Sequence, residues 1–352
     1  MQQVRTVVPV DLVQPHNRCM TCSIPATEIV WPGFQPDGGL LLPLSPGMAW
    51  PWRGGSLALE GRRFFAKPEL HVTALNRALG NTLRDALGTD TVRRHFEDQV
   101  WTIARTGEGQ LLHKIKHDAM YPLACGAVIE RLDVPALAAF RTALADAARI
   151  DVPVLLPHVT LYAAGDPAGI GLPDQAALHT AHVVDIRLPG IGNRPLPPLS
   201  RGLLAAYQAA HFIIDVKPPI TLQVGEASPR MDALLREYDS KRAIIVTAFN
   251  PFSEPSDSRA NNLRQQILRH ALDDAGFQML RAEGVDPRGH WPPERSLLVF
   301  DTEAAFEDRL LQDYEQHALM VVRPGKPAAL VLHPEHRHES LIDQDPGRVT
   351  VA

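Results

Sequence analysis

The stretches LHVTAL, residues 70–75, and LPHVTLYA, residues 156–163, decide the reading, because each carries a His-Val-Thr tripeptide in strand-forming surroundings. A strand turns successive side chains to opposite faces. The histidine and threonine of each tripeptide therefore share one face, and the valine points into the other layer. One face is left for chemistry and the other packs.

Working outward, GQLLHKIKH (109–117) alternates, and YPLACGAVIERL (121–132) is a further strand candidate bounded by turn residues. DVPALAAFRTALADAARI (133–150) has Asp133 as an N-cap candidate. Its apolar Leu137, Phe140, Ala143, Leu144 and Ala147 follow helical spacing. A short strand is expected at Val183–Leu188. The Gly- and Pro-rich PGIGNRPLPPLS after it marks a boundary near residues 189–200.

Beyond the boundary, HFIID, ITLQV, RAIIVTAF, SLLVF and HALMVV read as strands, and Arg259–Ala275 and Ala304–Tyr314 as helices. The fold class expected is α/β or α+β, in two domains. The first spans residues 1–190, including a Pro- and Trp-rich extension over 1–60. A linker over 191–202, a smaller α/β domain over 203–335 and a tail over 336–352 follow.

Composition narrows the function. With 352 residues and 45% hydrophobic content, the chain can bury two cores. A net charge of −5 argues against a grip on long nucleic acid, leaving a small nucleotide or an RNA end as partner. No apolar run is long enough to span a bilayer, and the start lacks a signal-peptide pattern, so no membrane partner and a cytoplasmic location are expected. Three cysteines suit a reducing compartment.

Imidazole titrates near neutrality. A neutral histidine can accept a proton from an attacking water or hydroxyl while a protonated twin donates to the leaving oxygen. A threonine hydroxyl two residues along can donate to a phosphoryl oxygen. This design requires no metal and no cofactor. A single His-x-Thr is expected by chance in a chain of this composition, where Thr is also a good strand former. Two His-Val-Thr copies, 87 residues apart with room between them for strands and a helix, are much less expected.

On these motifs, HVTAL and HVTLY, the segment from about Phe64 to Gly190 resembles the 2H phosphoesterase superfamily. That superfamily includes RNA ligase-like 2',5' phosphoesterases and cyclic phosphodiesterases. The resemblance implies two β lobes with flanking helices, and a cleft across which His71 and Thr73 face His158 and Thr160. It also implies hydrolysis of a 2',3'-cyclic phosphate, an ADP-ribose cyclic phosphate, or a 2',5' or 3',5' phosphodiester. The histidines are the expected catalytic pair and the threonines substrate contacts. The sequence departs from the family in the 60 or so residues before the first motif and in the small Ala74. Trp31, Trp50 and Trp52 of that segment either line the cleft or belong to the core, and the core is favoured.

Tyr162 and Arg77 are the next candidates for substrate contact, with Asn76, Lys114 and Lys116 beside the motif strands. Surface charge is the plainer account of each taken singly. His16, Cys19 and Cys22 have ligand-like spacing but lack a fourth ligand, with Cys125 the only other cysteine. His333, His336 and His338 fall in a charged tail. GIGLPD (169–174) is read as a turn.

The segment from about Leu203 to Leu332 resembles an uncharacterised bacterial domain family. The carriers are TAFNP (247–251), Asn261 or Asn262, EGVDP (283–287) and WPPERS (291–296). A small-molecule pocket of Thr247, Asn250, Glu283 and Glu294, with Asp286 and Ser296 near it, is expected where an open α/β sheet collects ligands. Turn and cap roles explain the same residues equally well. Two other functions remain open: a nucleotide-binding regulatory module without turnover, and chemistry residing in the second domain.

Overall fold

The alternation of His-Val-Thr calls for strands with one buried face, and the computed structural model builds them so. It describes residues 23–24, 29–44, 50, 53–117, 122–166, 170–172, 177–178, 181–190 and 194–339. In chain order the first half contains β1 (Ser23–Ile24), β2 (Leu40–Pro43), β3 (Ser56–Leu59), β4 (Arg62–Ala66), β5 (His71–Leu75), α1 (Arg77–Leu87) and α2 (Thr89–Glu97). It continues with β6 (Ile103–Lys116), β7 (Leu123–Asp133), α3 (Pro135–Ala148), β8 (His158–Ala164) and β9 (His182–Arg187).

A seven-stranded sheet runs β1-β6-β7-β8-β4-β3, with β9 also on β6, and β5 leaves it to form a two-stranded sheet with β2. All these pairings are antiparallel. Helices α1 and α2 lie where no helix is expected from the sequence reading above. Asn76 caps α1 by accepting from the Leu79 N–H at 3.0 Å. Gly80 lets α1 approach the preceding loop, since an added Cβ there would lie 2.0 Å from the Gly38 carbonyl oxygen. The N-cap of α3 is Val134, one residue past Asp133, and no side-chain cap bond forms because valine carries no acceptor, while Pro135 at the first helical position sets the backbone for the helix.

The second half contains α4 (Arg201–Ala209), β10 (His211–Ile214), β11 (Ile220–Gln223), α5 (Pro229–Glu237), β12 (Ala243–Val246), α6 (Ser258–Asp274) and β13 (Met279–Val285). After these come β14 (Glu294–Phe300), α7 (Ala304–Asp313), β15 (Ala318–Val322), β16 (Ala329–Leu332) and α8 (Pro334–Glu339). One sheet in the order β11-β10-β13-β14-β12-β15-β16 joins every strand, antiparallel throughout. The chain is thus mixed α and β of the α+β kind, with an antiparallel sheet in its second half.

Alternate residues of that sheet serve two cores. Ile245, Leu298 and Phe300 pack with Met231 and Leu235 of α5. Ile244, Leu297 and Val299 pack with Leu263 and Ile267 of α6 and Leu310 of α7. The second of these cores continues without a break into Val72, Val159 and Phe140, so the two halves share apolar packing. Arg264 of α6 is 1% exposed at this junction. It donates to the carbonyls of Ala248 at 2.8 Å and Tyr314 at 2.6 Å, and also to that of Arg187 from the first half. Residues 201 and 202 of the expected linker are the first turn of α4, capped by Ser200.

Among the described residues, no helix is long and apolar enough to cross a membrane.

Candidate functional site

Strand β4 pairs with β8 through Phe65↔Ala163 and Ala66↔Tyr162, and the Lys67 N–H extends the ladder to the Leu161 carbonyl at 2.9 Å. Past Lys67 the chain swings away and β5 pairs with β2 instead, Pro43 opposite His71 and Leu41 opposite Thr73. Cα atoms of β5 and β8 nonetheless remain within 8 Å.

Val72 and Val159 are fully buried, whereas His71, Thr73, His158 and Thr160 are all half-buried. The period-two argument holds on both strands. A deeper constraint comes from Arg141 on α3, which is 5% exposed. Its guanidinium donates to the Ala74 carbonyl on β5 at 2.8 Å and to the Pro153 carbonyl ahead of β8 at 2.7 Å. One planar cation thus ties the flanks of both motifs.

The His158 ring is oriented by Nδ1, which lies 2.8 Å from the Leu156 carbonyl oxygen. A carbonyl only accepts, so Nδ1 carries the proton and the neutral ring presents the lone pair of Nε2. Burial lowers the His158 pKa below the ordinary value, the Leu156 bond partly opposes this, and the charge of His71 lowers it further. His71 is lowered as well, first by burial and then by Lys67, with Glu69 opposing. The His158 imidazole thus senses the charge of His71.

The other expected contacts fall elsewhere. Tyr162 is 0% exposed, and its hydroxyl donates to the Gly54 carbonyl at 3.3 Å. The cause is a bulge: Thr160 opposes Ile129 but Tyr162 opposes Val128, so Leu161 is an extra residue and the alternation breaks after Thr160. Arg77 is exposed at the start of α1, six residues beyond His71 and past the far end of β5. Asn76 is occupied as the α1 cap. Lys116 pairs with Asp166 at 2.6 Å. Lys114 is half-buried on β6.

Of the tryptophans, Trp50 is core, 5% exposed, and donates at 2.5 Å to Glu130, which also holds Arg105. Trp31 packs partly buried against Phe96, and Trp52 lies outside the described residues. His16, Cys19 and Cys22 also lie outside them, as do Gly169, Pro173 and Asp174 of GIGLPD. Cys125 is buried. His333 and His336 are not in a tail: they are 4% and 3% exposed, folded by β16 and α8 onto His317. The His317 Nδ1 lies 2.8 Å from the His336 Nε2. The side chain of His338 is outside the described residues.

In the second half, Asn250 donates to Glu294 at 2.6 Å and accepts from Asn261 at 2.8 Å, in a loop where Asn250, Phe252 and Ser253 all have positive φ. Burial raises the Glu294 pKa, and the Asn250 bond opposes that rise. Thr247 donates to the Arg295 carbonyl at 2.7 Å. Glu283 does not join them. It pairs in register with Arg295, so alternation puts it on the opposite face of the sheet from Glu294. Asp286 accepts from the N–H groups of Arg288 and His290, a turn role. Ser296 is buried and donates to the Glu294 carbonyl at 3.3 Å.

Set against known proteins, residues 246–319 match the model of a family described as a protein of unknown function, DUF3293. No curated protein and no solved structure matches the chain. The matched stretch contains the TAFNP loop, Asn261, EGVDP and the Glu294–Ser296 segment, and stops short of both His-Val-Thr strands.

Proposed function

We propose that His71 and His158 hydrolyse a small phosphodiester, a cyclic or 2',5'-linked nucleotide or an RNA-end cyclic phosphate, as in the 2H phosphoesterases that the motifs resemble. The observation that supports this reading is the proximity of the two His-x-Thr strands, whose Cα atoms come within 8 Å, with the charge of His71 felt at His158. The two-stranded β2–β5 sheet and the seven-stranded sheet then act as the two lobes.

In the proposed reaction, the neutral Nε2 of His158 takes a proton from water as the water oxygen bonds to phosphorus. His71, protonated by the pull of the substrate's negative charge, gives its proton to the ester oxygen as the P–O bond breaks. The hydroxyls of Thr73 and Thr160 donate to the phosphoryl oxygens, where charge grows. The products are a phosphomonoester and a free hydroxyl.

The test is a panel of 2',3'-cyclic nucleotides, cyclic dinucleotides, ADP-ribose cyclic phosphate and 2',5'-oligonucleotides, offered to the full chain with and without EDTA. One of these turns over regardless of chelation, and His71→Ala and His158→Ala each abolish turnover with an unchanged circular dichroism spectrum. Retained turnover in both variants, or tight binding without turnover across the panel, overturns the reading.

A further inference from the structure

Between the two halves lies a cavity of about 800 Å3, lined by none of the four His-Val-Thr residues. Its floor is the α6 side of β10, β13 and β14, beyond the edge of α6, and its opposite wall is the end of β3 with Glu60. We propose that this cavity is a second ligand site, for a small hydroxylated organic phosphate, whatever chemistry the histidine pair performs.

The independent sign of a ligand is Gln265. It is 9% exposed and lines the cavity, and its Nε2 has no hydrogen-bond partner. The amide cannot be turned around to cure this, because its Oε1 accepts from the Ala248 N–H at 2.8 Å. A buried amide N–H left unmade is costly; it has almost no surface open to the cavity, so a ligand oxygen satisfies it only as the cavity wall adjusts on binding.

The charges say which acceptor. Arg259, Arg269, Arg281 and Arg295 line the cavity against three carboxylates, Glu60, Asp215 and Glu283. Glu60 is already engaged by Arg259 at 3.0 Å and lies 3.4 Å from His113. Arg295 donates to Asn262 at 3.1 Å. The guanidiniums of Arg269 and Arg281 have neither an ion pair nor a hydrogen bond among the described residues. Two planar forks and an amide donor suit phosphate oxygens. Asp215 and Glu283 accept from hydroxyls, and Leu59, Leu111, Ile213 and Leu297 offer an apolar surface that a bare phosphate leaves uncovered.

Isothermal titration calorimetry of the full chain with AMP, ribose 5-phosphate, adenosine and inorganic phosphate tests the assignment. AMP or ribose 5-phosphate binds saturably and more tightly than adenosine or inorganic phosphate. That binding weakens about tenfold or more in Arg281→Ala, which alters only an exposed strand residue. If neither organic phosphate binds, or if binding is kept in Arg281→Ala, the cavity is not this site. Because the readout is binding rather than turnover, failure of the histidine mechanism leaves the result intact.

Discussion

The Nδ1 of His158 donates to the Leu156 carbonyl oxygen two residues before it, at 2.8 Å. The bond spans the entry to β8, so the strand that aims the ring also sets its tautomer. With both imidazoles lowered by burial, and His158 further by His71, the singly protonated pair is the dominant form only below the ordinary histidine pKa.

A pH profile follows from that. For the free protein, kcat/KM on a 2',3'-cyclic nucleotide should be bell-shaped with its optimum below about pH 6.5, the acid limb marking protonation of the base and the alkaline limb loss of the acid's proton. An optimum above pH 7.5 is incompatible with the two lowered pKa values acting as the pair.

Thr73→Val and Thr160→Val remove a hydroxyl while keeping the branched shape that suits a strand. Each should lower kcat by roughly 100-fold or more, in the range for loss of one transition-state donor, with little change in the urea midpoint. A variant that loses stability but keeps kcat places that hydroxyl in packing instead.

Arg141 is a positioning residue, since its donors meet the backbone on either side of the site. Arg141→Ala strands two carbonyls and opens a buried volume, so a loss of about 2–4 kcal/mol in urea unfolding is expected. Arg141→Lys keeps the charge but cannot span both carbonyls in one plane, and should restore stability better than it restores kcat. Full recovery of kcat by lysine argues against a role in aligning β5 with β8.

Period-two alternation made β5 and β8 readable, because Val72 and Val159 needed a core and the histidines did not. What defeated the same reasoning at Tyr162 was one inserted residue, Leu161, which no propensity marks. Helix α1 was legible locally, in Asn76 as its cap and in Leu79, Leu83 and Leu87 at helical spacing. Strand β13 escaped because Arg281 and Glu283 face the interdomain cavity, so it lacks the apolar alternation of a covered strand. The unpartnered Nε2 of Gln265 depends on which loop occupies its Oε1, a fact of tertiary structure alone. The shared core between the halves was equally hidden, since a Pro-rich connector reads as a boundary whether or not the flanking units pack.

His333 and His336 looked like tail residues because HPEHRHES is polar, and only the return of β16 along β15 delivers them to His317. Burial and the neighbouring His336 lower both His317 and His333, each to about 4. The Asp308 carboxylate opposes the shift at His333, where Arg337 reinforces it, and Arg194 adds to it at His317. In the unfolded chain these rings titrate near 6.5, so between pH 6.5 and 4 the unfolded state binds more protons than the folded one. Stability is therefore complete above pH 6.5 and drains away as the pH falls toward 4, by at most about 3 kcal/mol for each ring. Urea unfolding at intervals from pH 7 to pH 4.5 should show this acid slope. His317→Asn, which removes the titrating ring and one like charge from its neighbours, should flatten it. An equal slope in wild type and variant would assign the acid sensitivity to other groups.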